Sequence, residues 1–258
     1  MRVVGIGNAR DLGGIAVSGG RVVVPGLFFR GPALSRANAE GLDELFGRCG
    51  VKTVIDVRCG WERDEDPNPQ VEGVQYLNIP FWDLDEVGLE YTRPAAGTHP
   101  IGRDVLVDPD DYYRELVNPA TLRQMAKALN AALDSACDNR PVYVHCAGGK
   151  DRTGVLALLI LTALGASRDD IRADYLMTNE ARNRTRDAVF ERFLPYCDTP
   201  ERAWEMVDAH SARPQNLDIF YAALDERCGG VEGLIEGIAG IDQQKRTRIR
   251  AICTRPRP

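Results

Sequence analysis

The sequence contains no Cys-x-x-Cys pair and only three histidines among its 258 residues. Because the seven cysteines are scattered, a zinc site or a disulfide framework has little support, and we expect neither a metal nor a cofactor. No run of 18 apolar residues occurs and no apolar signal segment follows the first methionine, so we expect no membrane span and a reducing, cytoplasmic setting. The net charge of -6 disfavours general nucleic-acid binding, which needs a dominant basic face.

Short β-branched runs alternate with helical patterns through the first 150 residues. The runs at 51–57, 73–81 and 141–145 predict strands, and the amphipathic pattern at 121–136 predicts a helix. We predict a hairpin of strands 21–24 and 26–31 around Pro25-Gly26. Residues 84–118 are polar and Asp-rich, and we interpret them as a lid or excursion near the site, outside the core, with a helix at 111–116.

The segment 141–165 carries the chemistry. A buried strand is predicted to end at His145, a glycine-containing turn covers 146–152, and an apolar helix begins at Thr153. Consecutive N–H groups in such a turn form a ring around an oxyanion, and the helix N-terminus adds partial positive charge. Cys146 lies at the base of this cradle, where positive potential favours the thiolate, the nucleophilic form.

Three further features of this turn suit phosphate. Gly148 and Gly149 permit the backbone angles and the close approach that the ring needs. Arg152 offers a planar, two-pronged donor to phosphate oxygens. The hydroxyl of Thr153 is placed to hydrogen-bond the sulfur of Cys146. Together these features predict an anion-binding nucleophile loop in place of an ordinary strand–helix turn.

The segment HCAGGKDRTG at 145–154 resembles the signature loop of the protein tyrosine phosphatase superfamily, most closely that of bacterial tyrosine and dual-specificity phosphatases. The resemblance implies an α/β fold with a central, mostly parallel sheet flanked by helices, a helical C-terminal half, and one domain over 1–258. Further segments resemble motifs of the same family, in order along the chain: NARDLGG at 8–14, PGLFFRGPALS at 25–35, VIDVRCGWE at 54–62, IPFWD at 79–83, DYLMTN at 174–179 and GLIEGIAGI at 233–241.

The resemblance implies roles for individual residues. Cys146 is the nucleophile, Arg152 holds the phosphate, and Asp83 and Asp151 match acidic positions that protonate the leaving group. Position 147 is Ala where inositol-lipid phosphatases of the superfamily carry a second Lys, which disfavours a polyphosphoinositide. The expected phosphate-binding residues form one continuous stretch: Ala147, Gly148, Gly149, Lys150 at the mouth of the loop, Asp151 and Arg152.

Supporting roles are expected for polar residues at other strand ends. His145 is interpreted as a hydrogen-bonded residue that orients Cys146, not as a base. Asp56 and Arg58 form either a structural ion pair or a pair of substrate ligands, and both interpretations stay open. Arg10, Asp11 and Arg30 either brace the site or belong to a satisfied surface network.

The expected reaction has two steps. The thiolate of Cys146 attacks phosphorus and forms a phosphocysteine, and water then hydrolyses it without a metal. The expected substrate is a phosphotyrosine-type ester, and the alternative is the same chemistry on a small phosphorylated metabolite such as a nucleoside, sugar or inositol phosphate. A sulfurtransferase also uses a Cys loop, but the Arg152-Thr153 ending argues against it. The oligomeric state is not predicted.

Overall fold

Eight strands lie within residues 2–81 and 109–257, the part of the chain that this computed structural model describes. They are short, and in the first half of the chain they alternate with helices. In chain order they are β1 Arg10–Asp11, β2 Ala16–Val17, β3 Arg21–Val23, β4 Phe28–Gly31, β5 Thr53–Asp56, β6 Gln75–Asn78, β7 Val142–His145 and β8 Thr254–Pro256.

The main sheet has five strands in the order β1-β4-β7-β5-β6. Strands β4, β7, β5 and β6 are parallel, and β1 pairs antiparallel with β4 at one edge. Strand β7 is central and buried at every position, which explains why its sequence VYVH scarcely alternates. The predicted α/β class with a central, mostly parallel sheet is confirmed.

The hairpin predicted around Pro25-Gly26 is wrong. Strand β3 belongs to a second, antiparallel sheet of order β2-β3-β8, whereas β4 lies in the main sheet. The hairpin that forms is β2–β3, which turns through Gly19 and Gly20, both with positive φ. Strand β8 at the C-terminus, which the sequence did not predict, completes this sheet.

Helices surround the main sheet and make up most of the second half of the chain. Two 3₁₀ turns, Leu34–Arg36 and Leu194–Tyr196, and two π-helical turns, Asp43–Arg48 and Gly233–Ile238, connect or extend them. Within the described ranges the α-helices are α1 Ala39–Leu42, α2 Gly60–Glu65, α3 Pro109–Glu115, α4 Pro119–Cys137, α5 Asp151–Leu164, α6 Arg168–Leu176, α7 Thr178–Asn183, α8 Arg186–Phe193, α9 Pro200–Ala209, α10 Pro214–Cys228, α11 Gly230–Glu232 and α12 Gln243–Cys253.

Helix α5 is the buried axis of the core. Eleven of its residues are buried, and it packs against α4, α6 and α12. It ends at Gly165, whose φ of 92° forms a left-handed cap. Among the helices that the structure describes, none is both long and apolar enough to cross a membrane.

The expectation that 84–118 lies outside the core is wrong for its last ten residues. Helix α3 packs against α10, and Tyr113, Leu116 and Val117 are fully buried. The predicted helix at 111–116 is confirmed. Residues 84–108 of the predicted excursion lie outside the described part of the chain.

Candidate active site

The signature loop connects β7 to α5 at the C-terminal edge of the main sheet. Three parallel strands end in register there, with Gly31 and Asp56 as the partners of His145. The carboxyl ends of parallel strands are where α/β folds place ligands. Helix α5 begins at Asp151, two residues earlier than predicted, so Asp151 and Arg152 belong to its first turn.

The carbonyl groups of this loop are hydrogen-bonded to protein donors. The N–H of Ala33 donates to Ala147 O at 3.2 Å, and Asn8 Nδ2 and an Arg30 guanidinium nitrogen donate to Gly149 O at 3.1 and 3.0 Å. In a trans peptide the N–H and the C=O of the same peptide unit point in opposite directions. The N–H groups of this loop therefore point away from the residues that bind its carbonyl groups. The N–H groups of residues 147–150 donate to no residue that the structure describes, so they are left for a ligand such as an oxyanion.

Gly149 is required by both conformation and space. Its φ is 69°, and a Cβ at this position would collide with the backbone of Gly31 and Pro32. A Cβ at Gly31 would in turn collide with the hydroxyl of Tyr143. That hydroxyl donates to Pro32 O at 2.7 Å. The loop therefore packs tightly against the C-terminal end of β4.

A buried ion cluster supports the loop from below. Asp174 on α6 accepts from Arg10 Nε at 2.7 Å and from Arg30 at 2.6 Å, and these side chains are at most 4% exposed. Burial raises the pKa of Asp174, but the two guanidinium groups outweigh it and the pKa is lowered. Arg10 also donates to Asn8 Oδ1 at 2.8 Å. Asp174 therefore orients Arg30 directly and Asn8 through Arg10, the two residues that bind Gly149 O.

Cys146 is only 3% exposed, at the base of the loop. Arg152 lies close by, and its guanidinium donates to both carboxylate oxygens of Glu62, at 2.5 and 2.7 Å. Burial alone raises the pKa of Glu62, but the attraction of Arg152 outweighs it and the pKa is lowered. A guanidinium has five N–H donors. The Glu62 carboxylate engages two of them and fixes the plane in which the others are presented.

Asp151 accepts hydrogen bonds from two side chains. Lys150 Nζ lies 2.5 Å from its Oδ1, and the hydroxyl of Tyr113 also donates to that oxygen. Burial raises the pKa of Asp151, but the Lys150 charge and these hydrogen bonds outweigh it, and the pKa is lowered. The Tyr113 hydroxyl contacts that of Tyr175 at 2.8 Å, which in turn accepts from Asn216 at 2.9 Å.

His145 is fully buried. Its Nδ1 lies 3.2 Å from Cys146 O, which can only accept, so Nδ1 carries the hydrogen. Burial lowers the pKa of His145 in spite of the nearby Asp56. Asn68 donates to His145 Nε2 at 3.2 Å and to Asp56 at 2.9 Å, and Asp56 forms a buried ion pair with Arg58 at 2.7 Å.

One predicted hydrogen bond is wrong, and one predicted catalytic residue lies outside the described part of the chain. The hydrogen bond predicted from Thr153 to Cys146 is absent, because the fully buried Thr153 hydroxyl has no partner within the described ranges. Asp83, the first predicted general acid, lies outside the residues that the structure describes. The structure does bring together the other predicted site residues around one loop.

Three residues that contact the site have no role predicted from the sequence: Glu62, Tyr113 and Asn68. Glu62 stands in the segment VIDVRCGWE, so the motif contained the signal although the pairing with Arg152 did not follow from it. Tyr113 and Asn68 lie in polar stretches with no strong periodicity, and their contacts span 38 and 77 residues of chain.

Comparison with known proteins agrees with this geometry. A family model described as the tyrosine phosphatase family matches residues 1–255. The chain belongs to the tyrosine phosphatase family. The family match confirms the predicted family and fold and establishes a cysteine-based phosphoric monoester hydrolase whose substrate is a phosphate ester.

Two named relatives are similar over almost the whole chain. A tyrosine-protein phosphatase of Cupriavidus necator is 27% identical over 237 residues, which cover 92% of this chain and 83% of the relative. The triple specificity protein phosphatase PtpB of Mycobacterium tuberculosis is 29% identical over 273 residues, and 96% of each chain is covered.

Proposed function

We propose that this phosphatase hydrolyses phosphotyrosine-type esters through a phosphocysteine formed on Cys146. The observation that carries the proposal is the loop geometry: buried Cys146 lies at the base of a loop whose carbonyl groups are bound by the protein and whose N–H groups 147–150 donate to none of the described residues. Such N–H groups stabilise the charge that develops on the phosphoryl oxygens. They also supply positive charge without a metal, so we propose metal-independent activity.

Arg152 is proposed to bind the equatorial oxygens during both transfer steps. Its ion pair with Glu62 holds the guanidinium before the substrate arrives. A positioned group costs little reorganisation when the charge develops. In the first step the thiolate of Cys146 bonds to phosphorus while the bond from phosphorus to the ester oxygen breaks. In the second step water attacks phosphorus, the sulfur leaves as thiolate, and inorganic phosphate is released.

Asp83 is proposed as the general acid in preference to Asp151. A proton donor must be protonated at working pH, which requires a raised pKa. The pKa of Asp151 is lowered, and its Oδ1 already accepts from Lys150 and Tyr113. These contacts favour a positioning role for Asp151, which holds Lys150 at the loop mouth.

Two features support a phosphoprotein-type substrate over a small metabolite. Both named relatives are protein phosphatases by name, and one carries the description triple specificity. Position 147 is alanine, whereas the resemblance places a second lysine there in inositol-lipid phosphatases, and this difference disfavours an inositol-lipid substrate. We further propose a single domain, supported by the family match over 1–255, and a reducing, cytoplasmic setting, which keeps the Cys146 thiol available.

The test compares Cys146→Ser with Cys49→Ser, a change at a cysteine remote from the loop. Hydrolysis of phosphotyrosine, phosphoserine and a sugar monophosphate is measured with and without a chelator. We expect Cys146→Ser to lower kcat by about four orders of magnitude, Cys49→Ser to stay close to wild type, and the chelator to have no effect. Near-normal activity of Cys146→Ser, or loss with chelator that a divalent ion restores, would contradict the proposal.

A further inference from the structure

A cavity of about 580 Å³ adjoins the signature loop on the side of α7 and α8. It borders the loop at Gly148, Lys150 and Asp151. Arg182, in the last turn of α7, and Arg36, at the end of the 3₁₀ turn Leu34–Arg36, also line it. The mechanism proposed above assigns no role to either arginine.

The two guanidinium groups have no counter-ion in the described part of the chain. Arg182 is half-buried and Arg36 is exposed, and neither forms an ion pair or a side-chain hydrogen bond with any described residue. Burial lowers the pKa of Arg182, the positive charge of Arg36 acts in the same direction, and Asp151 opposes them. Asp151 is the one carboxylate among the lining residues, all of which are described, and it is already engaged by Lys150 and Tyr113. A bound anion would relieve this unbalanced positive charge.

The remaining walls indicate what else the ligand carries. Pro32, Val189 and Phe193 give the cavity an apolar side. A second cavity of about 480 Å³ adjoins it and shares four lining residues with it: Gly7, Asn8, Ala181 and Thr185. At the far part of this second cavity, Val4 and Met177 are exposed by 53% and 39%.

The two cavities form a groove with a basic part beside the loop, lined by Arg182, Arg36 and Lys150. Its apolar part lies farther away, where Val4 and Met177 line it together with Arg184 and with Arg2, which pairs with Glu180. A small metabolite with two phosphates would fill the basic part alone, whereas an extended peptide would also use the apolar part. We propose that this groove binds the segment next to the phosphorylated residue of a peptide substrate, and that Arg182 and Arg36 bind the carboxylate of an acidic residue in that segment. This inference rests on the proposed phosphatase function and names the substrate class of the same site.

The experiment uses two phosphotyrosine peptides that differ only by Glu or Gln beside the phosphotyrosine. The quantity measured is the ratio of kcat/KM for the Glu peptide to that for the Gln peptide on each variant. Because both values come from one enzyme, a general loss of activity cancels. We expect a ratio of about ten for the wild type, the effect of one charge-assisted hydrogen bond. The ratio should fall to about one in Arg182→Gln and decrease in Arg36→Gln.

Arg255→Gln is the matched control, because Arg255 is exposed on β8 in the other sheet and the substitution removes the same charge. Its ratio should remain that of the wild type. A wild-type ratio of one, or an unchanged ratio in Arg182→Gln, would overturn the inference. A sugar bisphosphate preferred over its monophosphate in an Arg182-dependent way, with no peptide preference, would also overturn it and assign the cavity to a small molecule.

Binding of both peptides to Cys146→Ser separates this inference from the proposed function. The same preference of about tenfold should appear in Kd without turnover. If Cys146→Ser binds the Glu peptide preferentially but the wild-type enzyme hydrolyses neither peptide, only the proposed function is contradicted. Equal Kd values for the two peptides would contradict the inference alone.

Discussion

Arg152 and Glu62 form a two-pronged ion pair beside Cys146, at 2.5 and 2.7 Å, although 90 residues separate them along the chain. Glu62 is on α2, directly after the strand next to β7, so the parallel sheet brings the two residues to the same edge. Glu62 also accepts from the N–H of Cys59 at 2.9 Å, which fixes its carboxylate at the start of the helix. The group that is proposed to bind phosphate is thereby oriented by a second residue.

Replacing Glu62 with Gln keeps the shape and removes the charge that holds Arg152. We expect kcat/KM for phosphotyrosine to fall about 10- to 100-fold, because a misplaced guanidinium no longer matches the transferring phosphoryl group. Glu65→Gln, at an exposed position of α2, is the control and should change the value less than about twofold. Equal effects of the two substitutions would show that Glu62 does not position Arg152.

Gly149→Ala should destabilise the protein, whereas Gly148→Ala should not. The φ of 69° at Gly149 is costly for a residue with a side chain, and the added Cβ meets the backbone of Gly31. We expect a loss of about 2 kcal/mol or more in the free energy of unfolding. At Gly148 a Cβ contacts nothing within 4 Å, and the change should stay within about 0.5 kcal/mol. Urea denaturation measures both losses, and similar values for the two variants would contradict this loop geometry.

Asp174→Asn should be strongly destabilising near neutral pH. Removing this carboxylate leaves two buried guanidinium groups, Arg10 and Arg30, without their partner, a loss of about 3–5 kcal/mol. Asp169→Asn, at an exposed position of the same helix, is the control and should have little effect.

The pH dependence of the same variant follows from the lowered pKa of Asp174. A carboxyl group with a lowered pKa in the folded state stabilises the fold above its ordinary value of 3.8 and loses that contribution as pH falls through the lowered value. The difference between wild type and Asp174→Asn should therefore be constant above about pH 5 and shrink below pH 3.8. Thermal melts across this range check it, and a difference that grows toward acid pH would contradict the assignment.

The proposed general acid predicts a dependence on the leaving group. Asp83→Asn should slow phenyl phosphate far more than nitrophenyl phosphate, because a stable leaving group needs little protonation. It should also remove the high-pH limb of the rate profile. Asp151→Asn should slow both substrates to a similar degree, since its lowered pKa makes it a carboxylate. The opposite pattern would exchange the two roles.

The signature loop could be predicted from the sequence because its determinants are local. A buried strand, two glycines and an apolar helix lie within 25 residues, and the backbone angles of Gly149 follow from this context. The supporting contacts could not be predicted in this way. Tyr113 reaches Asp151 from a polar, Asp-rich segment, and its burial depends on packing between α3 and α10. The family motif contained Glu62, but only the order of the strands identifies Arg152 as its partner.

The error at Pro25-Gly26 has a similar origin. A turn signal between two predicted strands does not specify whether the strands pair with each other. Strand β3 pairs instead with β2 and with β8, whose Thr254 is the register partner of Val23. The partner lies more than 200 residues away, so the pairing depends on how the helical half returns to the sheet.

The central claim is that phosphate passes through a covalent bond to Cys146. Wild-type enzyme mixed with a phosphate ester and quenched in acid within one turnover, followed by mass spectrometry of the digested protein, tests it most directly. We predict one added phosphoryl group on the peptide that contains Cys146, absent in Cys146→Ser and lost from the wild type as inorganic phosphate is released. Phosphate attached to another residue, or product release with no phosphoryl-enzyme at any quench time, would contradict the account.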